Sequence, residues 1–157
     1  MPDRLDRKLL TLLQSSNRMP LDWLAEEVGS SKSAVQRRLE RFRRRGIIKA
    51  DIAVLDPCRL DGLQTFLIRL DVRDEKANLL AAFKAMVQGL PEVQQCYLTT
   101  GRRNCVLIAM LPDEAALERF ADAYLRDSPF VRRFHARLVT QGIKVGLAIP
   151  LEPSERD

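Results

Sequence analysis

Between Gly29 and Gly46 the chain gathers the side chains best suited to meet a polyanion: Ser31, Lys32, Ser33, Gln36, Arg37, Arg38, Arg41 and Arg44. Hydroxyls, an amide and guanidiniums in this density donate hydrogen bonds to phosphate oxygens and base edges. Lys32, Arg38, Arg43, Arg44 and Arg45 are of the type that holds phosphates, an attraction that falls steeply with salt. Ser31, Ser33, Gln36, Arg37 and Arg41 are expected at base edges. Glutamine pairs well with adenine and arginine with guanine, each worth about 1–3 kcal/mol of discrimination. Glu40 is unfavourable beside phosphates, and Arg37 or Arg44, three residues before and four after it, is placed to neutralise it. The bland alternative is a solvated basic face.

Bond-breaking chemistry has few candidates. His135 is the single histidine, which argues against a His-based metal site or dyad. The three cysteines, Cys58, Cys96 and Cys105, are odd in number and have no metal-like spacing. Cys96 and Cys105 lie in apolar, strand-like runs and read as small buried hydrophobes. There is no nucleophile-base constellation, paired catalytic carboxylate or glycine-rich phosphate loop. No enzyme activity, cofactor or metal is therefore expected.

The charge distribution supports a polyanion partner. Residues 1–50 hold 12 Lys+Arg against 6 Asp+Glu, whereas residues 51–157 hold 14 against 15, so the whole formal excess of +5 originates in the first third. A localised excess points to nucleic acid more strongly than a uniform one. No apolar run approaches the roughly 18 residues of a membrane span, and Met1-Pro2-Asp3-Arg4 does not open a signal peptide. The expected location is the cytoplasm, in association with the nucleoid.

The elements that must position these residues follow from periodicity. Leu5, Leu9, Leu12 and Leu13 stripe a first helix, with Asp3 or Asp6 near its positive end. Leu21, Leu24, Ala25 and Val28 stripe a short second one. After the turn Gly29-Ser30-Ser31, Val35, Leu39, Phe42 and Gly46 fall on one side of a third helix, capped by Ser31 or Ser33 and ended by Gly46. This is a helix-turn-helix. The β-branched run Ile47–Val54 predicts two short strands, a wing. Asp56–Gly62 is turn-rich. Beyond it the apolar pattern predicts a strand at Phe66–Val72, a helix at Leu79–Leu90, strands at Val93–Leu98 and Cys105–Met110, a helix after Pro112-Asp113, a strand at Val131–Thr140 and another at Ile143–Ile149. The fold class is α+β: an N-terminal winged helix-turn-helix followed by a C-terminal β-α-β-β-α-β (ferredoxin-like) antiparallel sandwich. The expected domains are 1–54 for DNA binding, a linker at 55–63, a dimerisation and effector domain at 64–150, and a disordered tail at 151–157. The uncovered sheet face calls for a second copy.

This arrangement resembles the Lrp/AsnC (feast/famine) family of bacterial and archaeal transcription regulators. The resemblance rests on Leu5-Asp6-Arg7-Lys8-Leu9-Leu10, on Leu24-Ala25-Glu26-Glu27-Val28-Gly29, and above all on Ser31–Phe42 closed by Gly46-Ile47-Ile48, with Thr100-Gly101 and Ile143-Lys144 as weaker matches. It implies a sequence-specific regulator of double-stranded DNA that forms a homodimer and assembles further, often to an octamer. It also implies an amino acid or similar small metabolite bound by the C-terminal domain between dimers. The candidate effector residues are Thr100, Gly101, Arg102, Arg103, Asn104 and His135.

The chain departs from the family at that site. Where the family carries one or two acids after the glycine, this chain has Arg102-Arg103-Asn104, and Phe134-His135-Ala136-Arg137 replaces small hydroxyl residues. Arginines repel an ammonium group, so the resemblance combined with these residues implies no small effector or a different, anionic one. Two other classes share the architecture: a tetrapyrrole decarboxylase-like enzyme, and an effector-sensing module that no longer binds DNA. A single histidine opposes the first and the intact basic helix opposes the second.

Overall fold

The structure, a computed structural model, describes residues 2–60, 62–73, 77–100 and 104–151, without the side chains of Cys58, Ala77 and Asn104. The chain divides into two units. One comprises the residues up to Val54 together with the chain from Lys144 onward, and the other Leu55–Ile143.

The first unit is built on α1 (Arg4–Ser15), α2 (Leu21–Val28) and α3 (Lys32–Arg44). Asp3 caps α1 through a reciprocal box: Asp6 N–H donates to Asp3 Oδ1 at 2.7 Å and Asp3 N–H to Asp6 Oδ2 at 3.1 Å. The helices close over Leu9, Leu10, Leu24, Ala25, Val35, Leu39 and Phe42. Burying each large apolar side chain in such a core is worth about 1.5–3 kcal/mol.

The expected wing is not formed. Residues 49–56 contain no strand, and Ile52, Val54 and Leu55 stand exposed. Two strands need a turn to pair them, and the one turn former in Ile47–Val54, Asp51, is followed by Ile52 and not by the glycine a tight hairpin favours.

The second unit runs β1 (Gln64–Val72), α4 (Ala77–Gln88), β2 (Val93–Thr99), β3 (Asn104–Leu111), α5 (Glu114–Tyr124) and β4 (Val131–Leu138). Its sheet has the antiparallel order β2-β3-β1-β4. Alternation divides the faces. Phe66, Ile68, Leu70, Cys105, Leu107 and Ala109 pack with Phe83, Val87, Phe120 and Ala121 from the helices. The opposite face carries Leu67, Arg69, Tyr97, Val106, Ile108, His135 and Arg137; Val106 and Ile108 are only half-buried, so central β3 is covered on one face and not on both.

The expected strand at Ile143–Ile149 is also absent. Ile143, Val145, Leu147 and Ile149 alternate as a strand would, yet all are exposed and none joins the sheet. From Lys144 the chain groups with the helical unit. Gln14 binds both sides of the Ile149 backbone, donating from Nε2 to its carbonyl at 3.0 Å and accepting its N–H at 2.5 Å. Leu151 packs on the three-helix core, so the tail's first residue is anchored by apolar burial. The rest of the tail, 152–157, lies outside the described residues.

Candidate nucleic-acid interface

The turn before α3 is set by backbone chemistry. Gly29 takes φ +67°, a conformation that other residues adopt at a cost, and the N–H groups of Gly29 and Ser30 donate to the carbonyls of Glu26 and Ala25 at 3.1 and 2.9 Å. Ser31, and not Ser33, caps α3: its Oγ accepts from Ala34 N–H at 3.3 Å. Gly46 lies at φ +66°, and Ile47 N–H returns to the Phe42 carbonyl at 2.9 Å, closing the helix.

With Val35, Leu39 and Phe42 fixed in the core, the outward stripe is Ser33, Gln36, Arg37, Glu40 and Arg44, all exposed. Two of the expected DNA-facing residues lie elsewhere. Arg38 and Arg41 are on the flank facing α1, where both bind Asp6, a carboxylate with only 3% exposure. Arg41 Nη2 is 2.7 Å from each Asp6 oxygen, and Arg38 Nη1 reaches Asp6 and also Asp3 at 2.7 Å. Burial of Asp6 demands countercharge, and these two guanidiniums supply it. The Arg38 guanidinium and the Asp6 backbone N–H hold the Asp3 carboxyl below the usual carboxylate range, and the same carboxylates raise Arg38.

Other cations of the helix are partnered too. Lys32 pairs with Asp22 at 2.9 Å and Arg43 with Asp51 at 3.2 Å, at exposed positions. Glu40 accepts from Gln36 Nε2 at 3.2 Å, so its partner is neither Arg37 nor Arg44. Ser33 Oγ lies 3.3 Å from Ser31 Oγ. Arg37, Arg44 and Arg45 make no ion pair or side-chain hydrogen bond among the described residues. Of the α3 arginines without an ion pair, Arg37 and Arg44 lie on the outward stripe. Asp6 is the residue that sequence reasoning undervalued. The signal was present as an acid three residues after the capping Asp3, the spacing of a capping box.

Of the expected effector residues, only Thr100 and His135 are described with their side chains. Gly101, Arg102 and Arg103 lie outside the described residues, as does the side chain of Asn104. Thr100 follows β2 at one sheet edge, whereas His135 is on β4 at the other, with β3 and β1 between them. At about 4.8 Å per strand they are some 14 Å apart across the sheet. His135 instead stands opposite Arg69 in an open cleft of about 630 Å³, lined also by Leu67, Phe134, Ala136 and Arg137. Among the described residues no group of three or more His, Cys, Asp or Glu is placed to hold a metal ion, and no helix is long and apolar enough to cross a membrane.

Comparison with known proteins places this geometry in a family. The AsnC-type helix-turn-helix domain matches residues 3–43, and the Lrp/AsnC ligand binding domain matches residues 65–149. The chain belongs to the Lrp/AsnC family. Over 150 residues it is 31% identical to the HTH-type transcriptional regulator y4tD of Sinorhizobium fredii, covering 96% of this chain and 89% of that one. It is 29% identical over 142 residues to the leucine-responsive regulatory protein of Salmonella typhimurium, covering 90% and 87%. A transcriptional regulator of Neisseria meningitidis, solved as its L-Met complex, superimposes with a TM-score of 0.86 at 30% identity, covering 96% of this chain and 97% of that one. As a member of the Lrp/AsnC family the protein is a DNA-binding helix-turn-helix transcriptional regulator, and oligomerisation accompanies that membership. The decarboxylase-like and non-DNA-binding alternatives have no support among these relatives.

Proposed function

We propose that this regulator reads DNA through Ser33, Gln36, Arg37 and Arg44, and that Arg38 and Arg41 serve to lock α3 against α1. The observation that carries this reading is the division of the α3 cations into those held by Asp3, Asp6, Asp22 and Asp51 and those left unpaired. Ser33, Gln36 and Arg37 lie toward the N-terminal end of α3, the end that a recognition helix presents to base edges. Arg44 and Arg45 lie at its other end, suited to the phosphate backbone. Lys32 and Ser31 flank the entry. Lys32 exchanges exposed Asp22 for phosphate at small cost, because a surface pair is worth about 0–1 kcal/mol.

One such helix reads few bases, so two copies act together. The dimer forms through the open sheet face, where Leu67, Val106, Ile108 and Tyr97 make an apolar centre rimmed by Arg69, Arg133 and Arg137. Dimers assemble further, toward the octamer the family resemblance implies, and the assembly associates with the nucleoid. The hairpin at 100–104 takes an anionic effector and not a neutral amino acid such as the L-Met of the Neisseria relative, because Arg102 and Arg103 stand where an ammonium-binding acid is otherwise found.

Selection from a random duplex pool tests the reading. Enrichment of a two-fold symmetric motif with half-sites about one helical turn or a multiple apart is expected. Salt-sensitive retention of all sequences with no enriched motif would overturn it.

A further inference from the structure

We propose that Cys96 and Cys105 form a dithiol that hydroperoxides oxidise to an intramolecular disulfide, a redox site at the root of the β2–β3 hairpin. The two sulfurs lie 3.5 Å apart. The register explains their meeting: Cys96 stands opposite Leu107 and Leu98 opposite Cys105, so the cysteines are diagonal neighbours with side chains on the same, helix-facing side of the sheet. Their settings differ. Cys105 is fully buried in the core, whereas Cys96, expected to be buried, is exposed because β2 is the outer strand.

That asymmetry suits a two-step oxidation. Cys96 is the accessible sulfur, and hydrogen bonding from Cys105 lowers its thiol, while the same contact and then burial raise Cys105. The Cys96 thiolate attacks the O–O bond of a hydroperoxide; an S–O bond forms, the O–O bond breaks, and the alkoxide leaves as alcohol after taking a proton. The product is Cys96 sulfenic acid. Cys105 sulfur then displaces the hydroxyl; the S–S bond forms, the S–O bond breaks, and hydroxide takes the Cys105 proton to leave as water. The two thiols together lose two electrons and two protons, and the peroxide is reduced to alcohol and water. Contraction to the S–S length of about 2.05 Å requires displacement of β2, whose outer side pairs with no strand of the sheet. The ring so closed encloses residues 97–104, which include the hairpin where this chain departs from its family.

The test treats the full chain with hydrogen peroxide, then alkylates free thiols under denaturing conditions and maps the peptides by mass. The expected product is a Cys96–Cys105 cross-linked peptide pair, reversed by dithiothreitol and still formed in Cys58→Ser. Cys105→Ser is expected to accumulate a dimedone-reactive sulfenic acid on Cys96, and Cys96→Ser to lose the reaction. If Cys105→Ser does not fold, mapping of the unsubstituted chain still decides the question. Overoxidised Cys96 beside a free Cys105 thiol, a disulfide between two copies, or a bridge to Cys58 would each overturn the proposal.

Discussion

Arg41 places one guanidinium nitrogen 2.7 Å from both oxygens of Asp6, and Asp6 lies in the seam between α1 and α3. A buried carboxylate with two arginine partners is a structural tie, and its removal strands Arg41 and leaves Arg38 with Asp3 alone. Asp6→Ala is expected to destabilise the helical unit by about 2–4 kcal/mol, toward the lower side of buried-pair losses because both arginines retain some solvent. The single tryptophan, Trp23 on α2, reports this unit in a denaturant titration. A midpoint unchanged from the unsubstituted protein would contradict the assignment.

The Asp3 carboxyl supplies a pH dependence with a definite sign. Its folded-state pKa lies below the ordinary value of 3.8, chiefly through its hydrogen bond from Arg38. Its contribution is fully present above that ordinary value and is lost as pH falls through the lower folded value. Asp3→Asn retains a capping side chain but has no charge to titrate. The stability lead of the natural protein over Asp3→Asn, read from Trp23 fluorescence, should therefore shrink as pH falls below the ordinary value of 3.8. A lead independent of pH would show that the Arg38 contact is not formed in solution.

The open sheet face makes a prediction about assembly. Ile108→Glu puts a carboxylate in the half-buried centre of that face and leaves the helix-facing core of β3 untouched. Light scattering coupled to size exclusion should show a smaller species with unchanged helix content. An unaltered mass would place the dimer surface elsewhere.

The arginines of the hairpin predict which small molecules bind. In a thermal-shift screen small organic anions should raise the melting temperature and neutral amino acids should not, since a ligand stabilises by about RT ln(1 + [L]/Kd). Substitution of both Arg102 and Arg103 by Ala should abolish the shift. Stabilisation by neutral amino acids would contradict the reading.

What the sequence disclosed divides along physical lines. Val35, Leu39 and Phe42 were legible because a helical stripe is local, and the alternation of Phe66, Ile68 and Leu70 disclosed the sheet in the same way. Arg37 and Arg41 looked equivalent, because what separates them is Asp6, more than thirty residues away in sequence and adjacent only after folding. Ile143–Ile149 has the alternation of a strand, but a period says nothing about whether a neighbour is there to pair. Grouping His135 with Thr100 required the sheet order, which places them on opposite edges. Cys96 and Cys105 both read as core, and only the outer position of β2 tells them apart.

Titration of an enriched duplex and a scrambled one with Arg37→Ala and Arg44→Ala tests the central claim most directly. Arg37→Ala should weaken binding to the enriched duplex by about 1–3 kcal/mol, with little loss on the scrambled one and relaxed preference at one position of each half-site. Arg44→Ala should weaken both duplexes alike and lower the salt slope by about one per bound copy. Equal losses on both duplexes for Arg37→Ala would contradict the claim that the unpaired stripe of α3 reads sequence.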